Sequence, residues 1–294
     1  MEGEASRTKT VCVTGAGGFV GSWLVKRLLS TGEYTVHVTV RDLGDRKTGH
    51  LRALEGAGER LRLFKADVLD YASVAYAVSG CGGVFHVASS VPADKPQNPE
   101  VEVLAPAVRG SQNVLKACHQ AKMWYALSKT LAEREALAHA EKTGLDVVTV
   151  CPPLVLGPLL QRVANTSSLV LINLLKGKPF YRCALSCSDR DTVEDKARNA
   201  VDVRDLADAF VLAYETPEAS GRYICGAYRK KLSEMAGIVE SFCPDLARPV
   251  KFVEGEDDRM MSSKKLQALG WKFRAVEECL RDSVESYKAA GLLE

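Results

Sequence analysis

The sequence carries no excess of charge of either sign. Its 39 lysines and arginines stand against 37 aspartates and glutamates, a net charge of +2, so its overall balance calls for neither a nucleic-acid partner nor a membrane partner. No apolar run approaches the length needed to cross a bilayer. Its nine cysteines form no C-x-x-C pair, and Cys12, Cys151 and Cys225 sit inside apolar runs. Free thiols in a reducing compartment, by default the cytosol, fit that usage better than a disulfide frame. Cys183 and Cys187 lie four apart but have no further ligands nearby, so no metal site is expected. The opening MEGEASRTK lacks the apolar region of a secretory leader, and residues 1–8 read as a frayed tail. The remaining composition, 46% hydrophobic and 26% charged over 294 residues, is that of a globule. The length suits one large α/β domain with an added lobe, or two small domains.

Against these absences stands one informative stretch, TVCVTGAGGFVGSWLVKRLL, at residues 10–29. Val11, Cys12 and Val13 form the short apolar run expected of a parallel strand covered on both faces. Gly15, Gly18 and Gly21 follow at spacing three, with Gly17 between the first two, and Trp23, Leu24, Leu28 and Leu29 recur at helical period. In a strand–turn–helix context each glycine has a task. The first permits the tight turn, the middle ones let the backbone approach a pyrophosphate, and the last lets helix and strand pack closely. The helix start then directs N–H groups and the positive end of its dipole at the phosphates. Gly15, Gly18, Phe19, Val20 and Gly21 are the candidate cofactor contacts of this turn.

Tyr34–Val40, YTVHVTV, alternates with β-branched residues and reads as the second strand. It ends in Arg41 and Asp42, about twenty residues past the last glycine, where the residue that reads the adenosine ribose is expected. An arginine there matches the 2′-phosphate of NADP, being planar and bidentate, and Arg46 and Lys47 follow in the same loop. The reading is NADP(H), with Asp42 leaving NAD open. A helix over His50–Ala57, a strand over Leu61–Ala66 and a helix over Asp70–Ser79 come next. The strand Gly83–Ala88 then leads into Ser89 and Ser90, at the carboxyl end where ligands of open α/β sheets bind. His86, between Phe85 and Val87, reads as a packed strand residue rather than a base. Glu100–Lys122 reads as a long helix.

The segment from Tyr125 to Lys129, YALSK, places a tyrosine and a lysine on one face of a helix. A lysine ammonium there stabilises a tyrosinate, so that the tyrosine can exchange a proton with a carbonyl oxygen while hydride moves to or from a nicotinamide; the lysine can also hold the nicotinamide ribose. The T-G-x-x-G-x-x-G form resembles that of the extended short-chain dehydrogenase/reductases. With VTVRD, FKADVLD, GVFHVAS, WYALSKTLAE, NAVDVRDLADAF, SGRYIC and SSKKLQALGW, nearly the whole chain resembles the plant cinnamoyl-CoA reductase and dihydroflavonol reductase group. That resemblance implies a Rossmann-type doubly wound parallel α/β sheet with a small C-terminal substrate lobe. It divides the chain into an NADP-binding domain over residues 9–160, with later returns from 198–225, and a lobe mainly over 161–294. It also implies NADP(H) as cofactor, a small aromatic carbonyl or acyl-CoA substrate, and Tyr125 and Lys129 as the catalytic pair. Asp67 and Val68 would lie beside the adenine, Ala88 and Ser89 in the cofactor loop, and Pro152 and Val155 beside the nicotinamide.

The chain departs from the group in three places. Cinnamoyl-CoA reductases usually carry W-Y-C-Y where Trp124-Tyr125-Ala126-Leu127 stands, which makes this chain reductase-like rather than the lignin enzyme itself. Lys178–Ser188 reads as an insertion. Most important, only Met123 and Trp124 separate Lys122, the end of the expected helix, from Tyr125. A β–α unit in a parallel sheet must be followed by a return strand, and none fits there. In the family this gap holds a strand ending in the serine that hydrogen-bonds the substrate carbonyl, and no residue here matches that serine. The reading is a deletion of a central strand. It leaves Gly83–Ala88 and Asp146–Cys151 either to pair directly or to keep unpaired backbone groups, with little or no reductase activity. The alternative is a dinucleotide-binding protein that does no chemistry, or an inactive splice or gene-model variant. A nucleotide-sugar epimerase shares the fold and the Tyr–Lys motif but not the C-terminal motifs. Oligomeric state is left open by the sequence.

Overall fold

The structure, a computed structural model, describes residues 9–44, 48–88, 124–177, 192–246, 251–255 and 257–293. For 124–132 and Thr192 it describes the backbone alone. The expected tail, Arg46 and Lys47, Ser89 and Ser90, the helix expected over Glu100–Lys122 and the insertion at Lys178–Ser188 all lie outside the described residues. Two compact units emerge, Met1–Thr149 with Ala213–Arg222, and Val150–Leu212 with Tyr223–Glu294.

The first unit is built on strand β1, Lys9–Thr14. Helix α1, Phe19–Ser30, follows the glycine turn, and β2, Tyr34–Val40, returns beside β1. Strand β3, Leu61–Lys65, joins the outer side of β2. Helix α4, Tyr71–Val78, leads to β4, Gly83–His86, on the other side of β1. The order β3-β2-β1-β4 is parallel throughout, with Val11 opposite Val36 and Gly83, and Val36 opposite Leu61. Val11, Cys12, Val13 and Thr14 of β1 are fully buried, which is why this strand is apolar on both faces. Phe85 is the one fully buried residue of β4, and Val84 is 40% exposed. Among the described residues β4 is hydrogen-bonded to β1 alone, and it closes the sheet on that side.

A single helix was expected over His50–Ala57. Two short turns stand instead, α2 at Gly49–Arg52 and α3 at Ala57–Arg60. Gly56 between them adopts φ +75°, a left-handed conformation that ends one turn before the next begins. Helix α5, Trp124–Thr143, precedes β5, Val148–Cys151. β5 pairs with β9, Gly221–Ile224, in a separate two-stranded sheet; just past its end, the Cys225 N–H donates to the Cys151 carbonyl at 3.0 Å. All four residues of β5 are half-buried.

The second unit has β6, Leu154–Leu156. It pairs parallel with β8, Ala197–Asp202, and β8 pairs antiparallel with β10, Tyr228–Lys231. A second small sheet joins β7, Thr192–Asp195, to β11, Lys251–Glu254. Helices α6, Thr166–Leu175, α8, Leu232–Phe242, and α10, Val276–Ala289, supply the core. Leu171, Ile172, Met235, Val239, Leu280 and Tyr287 meet there, all nearly inaccessible. Helix α7 runs from Val203 to Glu215. Helix α9, Lys264–Gln267, is a single turn.

Candidate active site

The glycine turn has the expected geometry. Gly15 sits at φ +68°, and the Gly18 N–H closes the turn onto the Gly15 carbonyl at 3.0 Å. A Cβ on Gly15 would lie 2.6 Å from the Ala88 Cα, so the turn is pressed against the exit of β4. A Cβ on Gly21 would run into the Gly15 carbonyl oxygen, so the first helical turn is packed back on the loop itself. Helix α1 starts at Gly18 with no side-chain cap and no acidic residue in its first turn. Phe19 is buried and anchors that turn, Val20 is half-buried, and Gly18 is exposed. An exposed helix start without a competing carboxylate fits the phosphates of a dinucleotide.

Sequence reasoning missed the supports of this turn. Ser22 Oγ donates within the turn, with the Gly18 carbonyl at 2.7 Å and the Ala16 carbonyl at 3.0 Å. His50 Nε2 stands 2.7 Å from the same hydroxyl, so α2 braces the turn from outside. Thr14 Oγ1 meets His86 Nδ1 at 2.7 Å and accepts from the Ala88 N–H at 3.4 Å. His86 is thus a structural tie between β1 and β4, as a packed strand residue would be.

Arg41 is exposed at the end of β2 and lines a cavity of about 330 Å³ with Lys65, Ala66, Asp67, Asp70 and Ser73. Asp67 Oδ1 accepts the Leu69 N–H at 2.9 Å, and Asp70 caps α4 by accepting from Ala72 at 3.1 Å. Val68 is half-buried beside these residues and does not line the cavity. The grouping of Arg41 with Asp67 suits a ribose phosphate beside an adenine.

Tyr125 and Lys129 lie on α5, two turns and one turn before Glu133. The Glu133 carboxylate is the fixed point of this helix. Its Oε1 accepts from Thr149 Oγ1 at 2.7 Å and from Arg222 Nε at 2.6 Å, while Arg222 Nη2 reaches Oε2. In the second unit Pro152 is exposed, and Val155 is buried in β6 opposite Val201.

The same unit holds a charge cluster that sequence reading did not single out. Arg204 donates to Asp202 and, at 2.6 Å, to Asp282. Burial alone would lower the Arg204 pKa, but these two carboxylates outweigh it and hold the guanidinium charged. The Asp205 carboxylate accepts the Arg274 N–H at 2.9 Å and pairs with its guanidinium. Burial pushes Asp205 up to about 6, against the pull of Arg274 in the other direction. Among the described residues no group of three or more His, Cys, Asp or Glu is placed to hold a metal ion, and no helix is long and apolar enough to cross a membrane.

Residues 12–127 match the 3-beta hydroxysteroid dehydrogenase/isomerase family, and residues 122–226 match the NAD dependent epimerase/dehydratase family. Cinnamoyl-CoA reductase 1 of Petunia hybrida is 39% identical, over 97% of this chain and 94% of its own. The chain belongs to the cinnamoyl-CoA reductase and dihydroflavonol reductase group of extended short-chain dehydrogenase/reductases. Dihydroflavonol 4-reductase of Zea mays is 35% identical over 98% of this chain and 91% of its own. The crystal structure of vestitone reductase from alfalfa superposes with a TM-score of 0.77 at 28% identity, covering 97% of this chain and 99% of that one. The group consists of NAD(P)-dependent oxidoreductases acting on small molecules, with the mostly parallel α/β fold seen here. Two details of the match bear on this member of the group. The two family matches meet at residues 122–127. The petunia alignment runs over 329 positions, 35 more than the 294 residues of the entire chain, so at least 35 aligned positions of that reductase face no residue here.

Proposed function

We propose that this chain carries the cofactor half of an NADPH-dependent reductase of phenylpropanoid or flavonoid carbonyl or acyl-CoA compounds, and that it turns such substrates over slowly or not at all. The glycine turn, the uncapped start of α1 and Arg41 would hold NADP(H), with Asp67 at the adenine end. The nicotinamide, when bound, supplies the hydride of the family reaction. Tyr125 would hand a proton to the substrate carbonyl oxygen. Lys129 would keep the tyrosine acidic enough to do so and hold the nicotinamide ribose. The serine that should bind the same carbonyl oxygen has no counterpart in the sequence, so the developing negative charge would lose a donor, a loss that typically costs about 10²–10³ in rate.

The observation that carries this reading is the strand order around β4. A doubly wound sheet places a further strand beside β4, whereas among the described residues no strand pairs with it on the side away from β1, and β5 pairs with β9 instead. The alignment surplus supports a loss somewhere in the chain, and the meeting of two family matches at 122–127 supports placing it there. The free thiols among the described residues support a cytosolic setting.

A thermal melt of the purified chain with NADPH and with NADH, joined to a turnover assay, tests the proposal, because a native-state binder must raise the midpoint by mass action. The expected result is a shift with NADPH larger than with NADH, and NADPH consumption with dihydroflavonols or cinnamoyl-type thioesters near background. Consumption at the rate of a complete reductase would overturn the deletion argument; a cooperative melt with no shift would overturn the cofactor reading.

A further inference from the structure

Helix α5 has to present its two functional positions at a defined height and rotation. Of the side chains described on it, residues 133–143, only Ala136 is buried. A single methyl group of burial does little to fix the rotation of that part of the helix. The specific contact is Glu133. It is 13% exposed and is held at both oxygens, by the Thr149 hydroxyl of β5 and by the fork of Arg222 on β9. A carboxylate gripped by a planar fork is constrained in direction as well as distance. Positions 125, 129 and 133 share four-residue spacing, so they stack along one stripe of the helix. Fixing the last therefore fixes where the stripe faces.

We propose that Glu133 is the positioning residue of the Tyr125–Lys129 pair, setting the rotation of α5 against the β5–β9 strands through Arg222 and Thr149. This rests on the reading that Lys129 holds the nicotinamide ribose. The consequence is a split in cofactor binding. The adenosine half of NADPH is held by the glycine turn and Arg41, which Glu133 does not touch. The nicotinamide half depends on α5.

The test measures dissociation constants of the full chain for NADPH and for 2′,5′-ADP, which lacks the nicotinamide half, in the parent, Glu133→Ala, Arg222→Gln and Arg222→Lys. The expected result is a loss of about tenfold for NADPH in Glu133→Ala and Arg222→Gln, with 2′,5′-ADP unchanged within about twofold. Arg222→Lys should fall between parent and Arg222→Gln, since it keeps the charge and loses the fork. A merely structural role would move both ligands together. Equal weakening of both, or no weakening of either, overturns the proposal. Should Glu133→Ala fail to fold, the exposed Arg222 substitutions decide alone. A parent that binds neither ligand overturns the cofactor reading instead, which is a different failure.

Discussion

At the scale of single residues, Asp205 shows how burial and pairing compete. Its carboxylate faces Arg274, which is also paired with Glu278 at 3.1 Å, and Asp202 lies close enough to oppose its charge. Its backbone carbonyl accepts the Trp271 indole N–H at 2.8 Å. Burial wins and the carboxyl is raised from 3.8 to about 6. Between those values the native state keeps a proton that the unfolded chain releases. The associated stability is fully present below about pH 4 and is lost as pH rises through about 6, by about 3 kcal/mol for a shift of this size. The melting temperature of the parent should therefore fall by a few degrees between pH 4 and pH 6.5 relative to Asp205→Asn. Melts of the two chains across that range check it; parallel pH profiles would show that Arg274 wins instead. None of this was legible in the sequence. The motif NAVDVRDLADAF shows where the charges lie along the chain, but not that Arg274, 69 residues later, meets Asp205.

At the scale of elements, the legible parts are those whose local pattern and burial agree. β1, α1 and β2 fall where their apolar period puts them, because all three bury the faces that the period marks. β7, TVED, and β10, YRKK, were not: no apolar alternation marks them, and each exists because a neighbouring strand supplies its hydrogen bonds. β6, LVL, was hidden between prolines and a glycine that suggest a loop. The glycine turn was readable in its purpose but not in its bracing by Ser22, His50 and Thr14, since these contacts join residues up to 74 apart. Tyr125 and Lys129 were readable as a motif, whereas their anchor, Glu133 with Arg222, spans 89 positions. The side of β4 away from β1, where no described strand pairs, gives the element-scale prediction. Inserting between residues 122 and 125 the strand and serine-bearing loop of a full-length relative should pair β4 on that side. We expect a higher melting temperature and reductase turnover raised at least about a hundredfold. Turnover equal to that of the parent chain would show that the gap does not limit the chemistry.

At the scale of the molecule, the chain folds as two units, each with its own core. The first is a parallel sheet wrapped by α1 and α4; the second is three helices on small sheets. A resemblance spread over nearly the whole sequence is compatible with a local loss, because most of the matched residues serve these two cores rather than the strand that separates β4 from β5 in the family. That is why the group was recognisable from the sequence while the competence of this member has to be measured.

Each core also contains its own silent chemical label. Cys12 is completely inaccessible at the centre of β1, and burial pushes its thiol up to about 12. Cys225 and Cys279 are equally inaccessible in the second unit, their thiols raised still further by burial. Such sulfurs react only when the fold around them opens. Pulsed alkylation read by mass spectrometry thus turns these three positions into clocks, one ticking for the first unit and two for the second. If the proposed deletion weakens only the sheet of β4, Cys12 will be modified well before Cys225 and Cys279; simultaneous modification would mean that the two units open together.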